Sequence, residues 1–417
     1  MATRDGGTRG GRGRSAWAAR AIGGAMCAIV LVAGGVAAMG GWTAEQPAST
    51  YAVFGYNELG MHCMNQDFSE MMILPPFNSI RAQVIRKGVE PQIMTSGVSL
   101  RYWVPGNTHS SDKTNFWSYS YQLLGASIPP DVGLAGFGLK GSMVSRSPAA
   151  NDWEATGIPI TPIGDDGREN PYSLATVQVE NAGGVLAKTQ FVVPVSWEIS
   201  CNLCHTSATE SVGMNILHAH DRLHNTQLAT HTPVNCSQCH SDPALGAPGQ
   251  AGVSSMSSAM HLAHGPRMAA ANLAVNCYAC HPGVRTQCQR DVHSAAGMNC
   301  YSCHGQMADV GNPSRRPWQD EPRCATCHQA RKPEFEFEPA GVLFKNATGH
   351  GGVKCVTCHS SPHAITPTTT GVDNLQAIRA QGHAGPIGGP LAAGGTPTPS
   401  CSACHTTPPG RFEHHRD

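Results

Sequence analysis

Apolar and polar residues alternate in short runs between residues 48 and 198. The runs occupy residues 51–54, 80–85, 98–104, 175–179 and 191–195, and they are rich in β-branched and aromatic side chains. Such runs, with glycine, proline and asparagine between them, are typical of strands that bury one face. We therefore expect an N-terminal, small β-rich (sandwich-like) domain at residues 48–198.

Two local features of this domain are predicted more closely. Asn181, Ala182, Gly183 and Gly184 lie between two of the runs and predict a tight hairpin. Residues 129–150 contain several prolines and glycines and predict irregular connections. No segment has a helical period of convincing length, so we expect no long helix in this domain.

The apolar pattern weakens after residue 200. Residues 201–417 contain 10 Leu, 4 Ile, 11 Val and 4 Phe, which is 29 of 217 positions. This share is well below the roughly 20% that a self-sufficient core requires. For residues 199–417 we expect a domain of mostly coil and short helices, whose core is supplied by something other than side chains.

The first 44 residues carry a targeting pattern. Five arginines between residues 4 and 20 precede an uncharged stretch at residues 21–42, and small residues follow near its end. This pattern predicts a signal peptide and export to the periplasm, the outer surface or the extracellular space. The stretch is also just long enough to span a bilayer, so a membrane anchor formed by residues 21–42 is the alternative.

The charge balance narrows the class of partner. Lys+Arg and Asp+Glu both number 28, and charged residues are 13% of the 417. A nucleic-acid binder needs a basic excess to displace counterions, so we expect no nucleic-acid partner. A net charge near zero permits self-association.

Fourteen of the seventeen cysteines form seven pentads of the pattern Cys-x-x-Cys-His, which we number 1 to 7 in chain order. Their cysteines are Cys201 and Cys204, Cys236 and Cys239, Cys277 and Cys280, Cys300 and Cys303, Cys324 and Cys327, Cys355 and Cys358, and Cys401 and Cys404. Their histidines are His205, His240, His281, His304, His328, His359 and His405. Chance would supply on the order of 0.03 such pentads in this chain, so the repeat is a specific signal for haem attachment.

The spacing suits the chemistry of haem c. Two thiols three positions apart can add to the vinyl groups of one porphyrin, and the next residue then offers an imidazole to the iron as proximal ligand. Zinc sites and disulfides also use such cysteines, but neither requires a histidine after every second cysteine. We therefore expect seven covalently attached haem c groups, packed closely because so few residues surround each of them.

Fourteen histidines lie outside the pentads, and an iron bound by one histidine still has an open sixth position. Eight of them lie close to a pentad in sequence or share a helix face with another histidine. These candidate distal ligands are His220, His224, His261, His264, His293, His350, His363 and His383. We expect all or nearly all irons to have two histidine ligands, with one of the eight surplus. A methionine ligand at one iron is the alternative.

The cysteine-rich half resembles the multihaem c-type cytochromes of bacteria, which carry electrons through the periplasm or to extracellular acceptors. The resemblance rests on the seven pentads and on the histidine-containing segments 220–224, 290–300, 349–352 and 361–364. It covers residues 201–417 and does not extend to the β-rich domain. It implies an electron-transfer protein whose partners are other redox proteins or extracellular electron acceptors.

We therefore expect a heptahaem cytochrome that conducts electrons along closely packed haems, with a β-rich domain that positions a partner. Two other functions stay open. In a multihaem reductase of a small oxyanion, one iron would keep a free position for substrate. In an extracellular filament, such chains would stack end to end. An electron-transfer protein has no catalytic residue to assign, and we assign none.

Two further groups of residues lie outside this scheme. His62, Cys63 and the neighbouring methionines suggest copper, a haem ligand or a structural turn, with His109 the other histidine of the β-rich domain. Cys63 and Cys288 are the two unassigned cysteines after the targeting segment. Since exported proteins seldom keep free thiols, a disulfide between them is a hypothesis.

Overall fold

A computed structural model of the chain describes residues 49–375 and 401–407. The predicted signal or anchor segment, residues 1–44, and His383 lie outside the described residues. The described residues belong to one compact unit. We refer to residues 49–198 as the β-rich region and to the described residues from 199 onward as the cysteine-rich region. The division of the unit into two domains at residue 199 stays a prediction.

The β-rich region contains eleven of the described strands and one helix. In chain order they are β1 Tyr51–Asn57, β2 His62–Cys63, β3 Met71–Met72, β4 Asn78–Arg86, β5 Gln92–Ile93, β6 Ser99–Trp103, α1 Phe116–Leu124, β7 Lys140–Ser142, β8 Val144–Ser145, β9 Trp153–Ile158, β10 Tyr172–Asn181 and β11 Gly184–Ser196. All five predicted runs overlap strands of the structure, namely β1, β4, β6, β10 and β11. The predicted β-rich character of this region is therefore confirmed.

Two five-stranded sheets form the centre of the β-rich region. One has the order β1-β4-β9-β8, with β5 paired to β4, and the other has the order β2-β11-β10-β6-β7. Val53 and Ile80 of the first sheet lie in the same apolar cluster as Val177 and Phe191 of the second. Because side chains alternate between the faces of a strand, one face of each sheet supplies this common core.

The predicted hairpin is confirmed in its register. Strands β10 and β11 pair antiparallel, and Asn181 lies opposite Gly184, so Ala182 and Gly183 form the turn. Gly184 has φ of 113°, a backbone conformation that glycine adopts without steric strain. The predicted connection at residues 129–150 contains two short strands, β7 and β8, at the edges of the two sheets.

The β-rich region contains one short helix, α1, although its sequence shows no helical period of convincing length. Helix α1 has nine residues, and it buries Phe116, Ser120 and Leu123 on one face. Gly125, with φ of 71°, ends the helix, and its N–H bonds the carbonyl of Tyr121. The helix is rich in aromatic residues that also favour strands, so its sequence is ambiguous when read without the core it packs on.

The cysteine-rich region is built from short helices and turns. Its α-helices and one strand are α2 Val212–His224, β12 Val234–Asn235, α3 Met256–His264, α4 Val292–Ala295, α5 Cys300–His304, α6 Met307–Val310, α7 Cys324–His328, α8 Cys355–His359 and α9 Gly371–Leu375. Its 3-10 turns are Cys201–Leu203, Leu228–Thr230, Cys236–Gln238, Gly265–Ala271, Asn276–Ala279, His350–Gly352 and Cys401–Ala403. Among the described residues, no helix combines the length and the apolar character needed to cross a membrane.

Strand β1 is buried on both faces, which joins the two regions. Val53 enters the core between the sheets, whereas Ala52 and Phe54 on the other face pack with Ile85 against Ala403 of pentad 7. Strand β12 of the cysteine-rich region also pairs with β3 of the β-rich region. Part of the cysteine-rich region thus packs against the outer face of the first sheet.

Candidate haem-attachment sites

Each pentad forms a single helical turn or a short helix. The N–H of His205 bonds the carbonyl of Cys201 at 2.9 Å, and that of His281 bonds Cys277 at 2.8 Å. Residues three and four positions apart lie on one side of such a turn. The turn therefore presents both cysteines and the histidine of a pentad to the same side, which is the arrangement that one porphyrin requires.

The described cysteines form no disulfide. All sixteen, including the fourteen pentad cysteines, are free. The disulfide alternative for the pentads therefore finds no support in the part of the chain that the structure describes.

Six pentad histidines each face one histidine from elsewhere in the chain. The pairs, with the distances between ring centroids, are His205 and His264 at 6.3 Å, His220 and His240 at 6.4 Å, His261 and His281 at 6.2 Å, His293 and His328 at 6.1 Å, His304 and His363 at 6.1 Å, and His350 and His405 at 6.1 Å. The angles between the ring planes range from 21° to 85°. The separation is therefore nearly constant while the relative ring orientation is not.

Helix α3 carries the second histidine of two different pairs. His261 and His264 are three residues apart, so they lie near each other on the helix surface. Each donates its Nδ1–H to the carbonyl four residues earlier in the helix, that of Ser257 or Met260, at 2.7 Å. These bonds direct the opposite nitrogen, Nε2, away from the helix, towards pentad 3 for His261 and pentad 1 for His264.

Helix α2 carries two candidate distal ligands, His220 and His224, which sequence spacing alone does not distinguish. His220 and His224 contact each other with ring centroids 4.7 Å apart, but only His220 is paired with a pentad histidine, His240. The Nδ1 atom of His220 is 2.9 Å from the hydroxyl of Thr226. His224 therefore contacts the paired histidine His220 but does not itself face a pentad histidine in the described residues.

Eight of the twelve paired histidines have an oxygen or sulfur partner at Nδ1. The partners are Asn215 for His205, Thr226 for His220, Ser254 for His240, Ser257 for His261, Met260 for His264, Asp291 for His293, Cys288 for His363 and Val89 for His405. A partner at Nδ1 fixes the ring and leaves Nε2 to bind a metal. Sequence reasoning missed these residues, since most lie near their histidine only in the folded chain.

Burial affects the ionisation of the paired imidazoles. It lowers the pKa of His281 and of His304 to about 4, so these rings are neutral at pH 7. The neutral imidazole is the form that binds metals. At His293, by contrast, the hydrogen bond to Asp291 raises the pKa.

Pentads 1 and 3 are neighbours in space, although pentad 2 lies between them in sequence. The N–H of Ser200 bonds the carbonyl of Ala279, inside pentad 3, at 3.1 Å. Burial raises the pKa of Cys280 to about 11, and the charges of Cys201 and Cys204 contribute to the shift. The first and third attachment sites are therefore adjacent.

Pentads 3 and 4 are also in direct contact. The thiols of Cys277 and Cys300 hydrogen-bond to each other, which raises the pKa of the first and lowers that of the second. The hydroxyl of Tyr301, inside pentad 4, accepts the N–H of Asn276 at 2.8 Å. The helical turn of pentad 3 is thus held against that of pentad 4.

Pentads 4 to 7 follow one another in space as they do in sequence. After burial, the charge of a cysteine in the next pentad is among the causes that raise the pKa of Cys303, Cys324 and Cys358. These neighbouring cysteines are Cys327, Cys355 and Cys404, respectively. The two cysteines of each interaction belong to consecutive pentads, so these pentads are neighbours in space.

Pentad 2 is linked to pentad 1 through helix α2. Asn215 and His220, both on α2, contact His205 of pentad 1 and His240 of pentad 2, respectively. The carbonyl of Ser241, directly after pentad 2, also accepts the first N–H of α3, the helix that carries the partner of pentad 1. The shared helix α2, the contacts between pentads 1, 3 and 4, and the charge interactions between pentads 4 to 7 therefore link the pentads in the order 2, 1, 3, 4, 5, 6, 7, which we call the row.

The β-rich region supports the later part of this row. Gln83 of β4 accepts hydrogen bonds from Lys354 N at 2.8 Å and from the hydroxyl of Thr357 in pentad 6 at 2.7 Å. Lys345 forms an ion pair with the largely buried Glu58. The carbonyl of Gly88 accepts the N–H of Thr406 at 2.8 Å, directly after pentad 7. The sheet formed by β1 and β4 thus fixes the positions of pentads 6 and 7.

The structure gives His62 a structural role. Its Nε2 is 3.2 Å from the carbonyl of Pro75, its ring packs against Phe77, and burial lowers its pKa to about 4. The Nδ1 atom of His109 instead lies 2.6 Å from a carboxylate oxygen of Asp112, and its Nε2 atom lies 3.3 Å from one of Asp165. Both histidines therefore have partners within the β-rich region.

Cys63 and Cys288 are not joined by a disulfide. The sulfur of Cys288 lies 3.6 Å from Nδ1 of His363, the histidine that faces His304 of pentad 4. The disulfide hypothesis therefore finds no support, and Cys288 is in contact with a candidate ligand.

No family model, curated protein or solved structure matches this chain. Within residues 49–375 and 401–407, no group of three or more His, Cys, Asp or Glu side chains is arranged to hold a metal ion. A haem iron takes only two ligands from the protein, because the porphyrin nitrogens occupy its other positions. The geometry of the six histidine pairs is therefore the feature to compare with the two protein ligands of a haem iron.

Proposed function

We propose that this chain is an exported electron-transfer protein with seven covalently attached haem c groups, each iron bound by two histidines. Six irons would lie between the paired histidines described above. For the seventh iron we propose His359 of pentad 6 and the candidate His383, which lies outside the described residues. Bound haem c would supply one-electron iron chemistry, while the protein orients the ligands and spaces the haems.

The constant separation within the six histidine pairs is the observation that carries this proposal. A metal–imidazole bond is about 2.0 Å long and the ring centroid lies roughly 1.1 Å further on, so two imidazoles across one iron have centroids roughly 6 Å apart. The observed range is 6.1 to 6.4 Å.

The variable ring angles favour a shared metal over direct ring contact. Aromatic contacts prefer particular relative orientations of the rings. Rotation of either imidazole about its metal–nitrogen bond instead leaves the separation unchanged. The angles here span 21° to 85° at almost equal separation. In addition, every pair joins one pentad histidine to one histidine outside the pentads, as the iron of a haem c requires.

The row of pentads supports electron transfer along a single path. Covalent attachment fixes each porphyrin to its own pentad, so contacts between pentads imply closely spaced haems. Electrons would pass in the order 2, 1, 3, 4, 5, 6, 7, or the reverse. The haems of pentads 2 and 7 would then be the ends at which donor and acceptor approach, with pentad 7 held by the β-rich region.

Haem stoichiometry tests this function. The mass of the denatured protein and its reduced pyridine spectrum should both give seven covalently bound haems per chain. A mass that corresponds to five haems or fewer, or to bound zinc, would overturn the proposal.

A further inference from the structure

One of the eight Nδ1 partners is a carboxylate. Four of the others are backbone carbonyls, two are neutral side-chain oxygens and one is a thiol sulfur. The carboxylate belongs to Asp291, whose Oδ2 lies 3.1 Å from Nδ1 of His293. His293 faces His328 of pentad 5. The Nδ1 partner at the fifth site therefore differs in charge from the other seven partners that the structure describes.

The fold holds Asp291 in place. Its Oδ1 accepts the N–H groups of His293 and Ser294, both at 3.0 Å, so the residue is also the N-cap of α4. Its side chain is 5% exposed. The carboxylate is thus fixed by the helix that carries the histidine, and solvent screens it little.

The neighbouring cation does not neutralise this carboxylate. Arg290 is fully buried, but its guanidinium binds Asp373 through two nitrogens, at 2.6 and 3.0 Å. Its third nitrogen donates to the carbonyl of Cys288 at 3.1 Å. The negative charge of Asp291 therefore acts most closely on His293, its hydrogen-bond partner, and less closely on His363.

We propose that Asp291 is a positioning residue that orients His293 and lowers the reduction potential of the fifth haem. This inference rests on the proposed function. A carboxylate that accepts the Nδ1–H of a ligand histidine increases the electron donation of the ring through Nε2. Stronger donation stabilises ferric iron more than ferrous iron, so the one-electron reduction becomes less favourable.

The consequence is a step in potential inside the row. The fifth haem lies between the fourth, whose ligand His363 contacts a thiol, and the sixth. An electron that passes along the row would have to cross a haem of lower potential near the middle. Asp291 would thus influence the rate of transfer between the two ends.

The substitution Asp291→Asn separates charge from structure. Asparagine caps helices as well as aspartate and can still accept a hydrogen bond, but it carries no charge. In a mediated redox titration of the holoprotein, we expect the step of the fifth haem to move most, to higher potential. The step of the fourth haem should move less, because its ligand His363 interacts with the charge of Asp291 without a hydrogen bond to it, and the other five steps should stay. A tenfold gain of ferrous over ferric iron corresponds to about 59 mV.

Two more variants complete the experiment. Asp309→Asn is the control and changes the first turn of α6, a helix of the same length as α4. The carboxylate of Asp309 accepts the N–H of Gln306, and its described hydrogen bonds do not involve a paired histidine. The control should leave the titration unchanged. Asp291→Ser also caps α4 without charge, so it should shift the same step if the asparagine variant is poorly produced.

The number of covalent haems per chain distinguishes failure of the role proposed for Asp291 from failure of the proposed function. If each variant carries seven haems and the titrations of both Asp291 variants superimpose on that of the unchanged protein, the role of Asp291 is refuted and the proposed function stands. If the unchanged protein lacks covalent haem, both proposals fall.

Discussion

The β-rich and cysteine-rich regions achieve burial in different ways. The first contains a cluster of 25 buried residues between Val53 and Val195. In the described cysteine-rich region, eight apolar side chains are buried, and four of them are alanines. Yet the second region has the more numerous short helices, each of which needs packing to persist. The difference indicates that side chains stabilise the first region, and under the proposed function haems would stabilise the second.

The largest effect should follow from removing a central haem. Replacement of Cys300 and Cys303 by alanine deletes the attachment site of pentad 4, which contacts pentads 3 and 5. We expect loss of more than one haem and rapid proteolysis of the cysteine-rich region, because neighbouring porphyrins lose a packing partner. Cys63→Ala, which removes a cysteine outside the pentads, is the control. Six retained haems at normal yield, with unchanged proteolysis, would show that the dependence on haem is overstated.

The β-rich region should respond to a change in its side-chain core instead. Phe191 is fully buried, and a Cβ atom at Gly55 of the facing sheet would overlap its ring. Phe191→Ala should lower the free energy of unfolding by about 3–5 kcal/mol, measured by urea denaturation followed through tryptophan fluorescence. Val185→Ala on the same strand, where the side chain is 61% exposed, should change it by less than about 0.5 kcal/mol. Equal effects of the two variants would contradict the common core.

The smallest effect concerns two histidines on one helix. His220→Ala should make about one haem in seven high-spin and able to bind carbon monoxide, because His240 loses its partner. His224→Ala should leave the spectra unchanged. Electron paramagnetic resonance of the oxidised variants and carbon monoxide titration of the reduced variants distinguish them. The reverse result would mean that His224, rather than His220, is the ligand.

The sequence predicted the strands of the β-rich region well because their apolar residues alternate. It did not predict the two-sided burial of β1, since Ala52 and Phe54 are covered by residues more than 300 positions later in the chain. It also missed α1, whose aromatic residues suit a strand as well as a helix. Local patterns thus predicted the elements, while long-range contacts decided their surroundings.

At the candidate site, the pentads were evident because all their ligand atoms lie within five residues. Six of the eight candidate distal histidines lie opposite a pentad histidine, but sequence spacing alone could not show which pentad each of them faces. His261 and His264 are three residues apart and face pentads 3 and 1, a division that only the fold imposes. Asp291 was closer to prediction, since aspartate is a typical helix N-cap and the histidine that it contacts lies only two residues later.

The central claim is that every haem iron is bound by two histidines, so that the protein conducts electrons without an open iron. Carbon monoxide binding to the fully reduced native protein, together with low-temperature electron paramagnetic resonance of the oxidised form, tests it most directly. We predict low-spin spectra and little or no carbon monoxide uptake. About one high-spin, carbon monoxide-binding haem per chain would contradict the claim and favour a reductase with its substrate site at that iron.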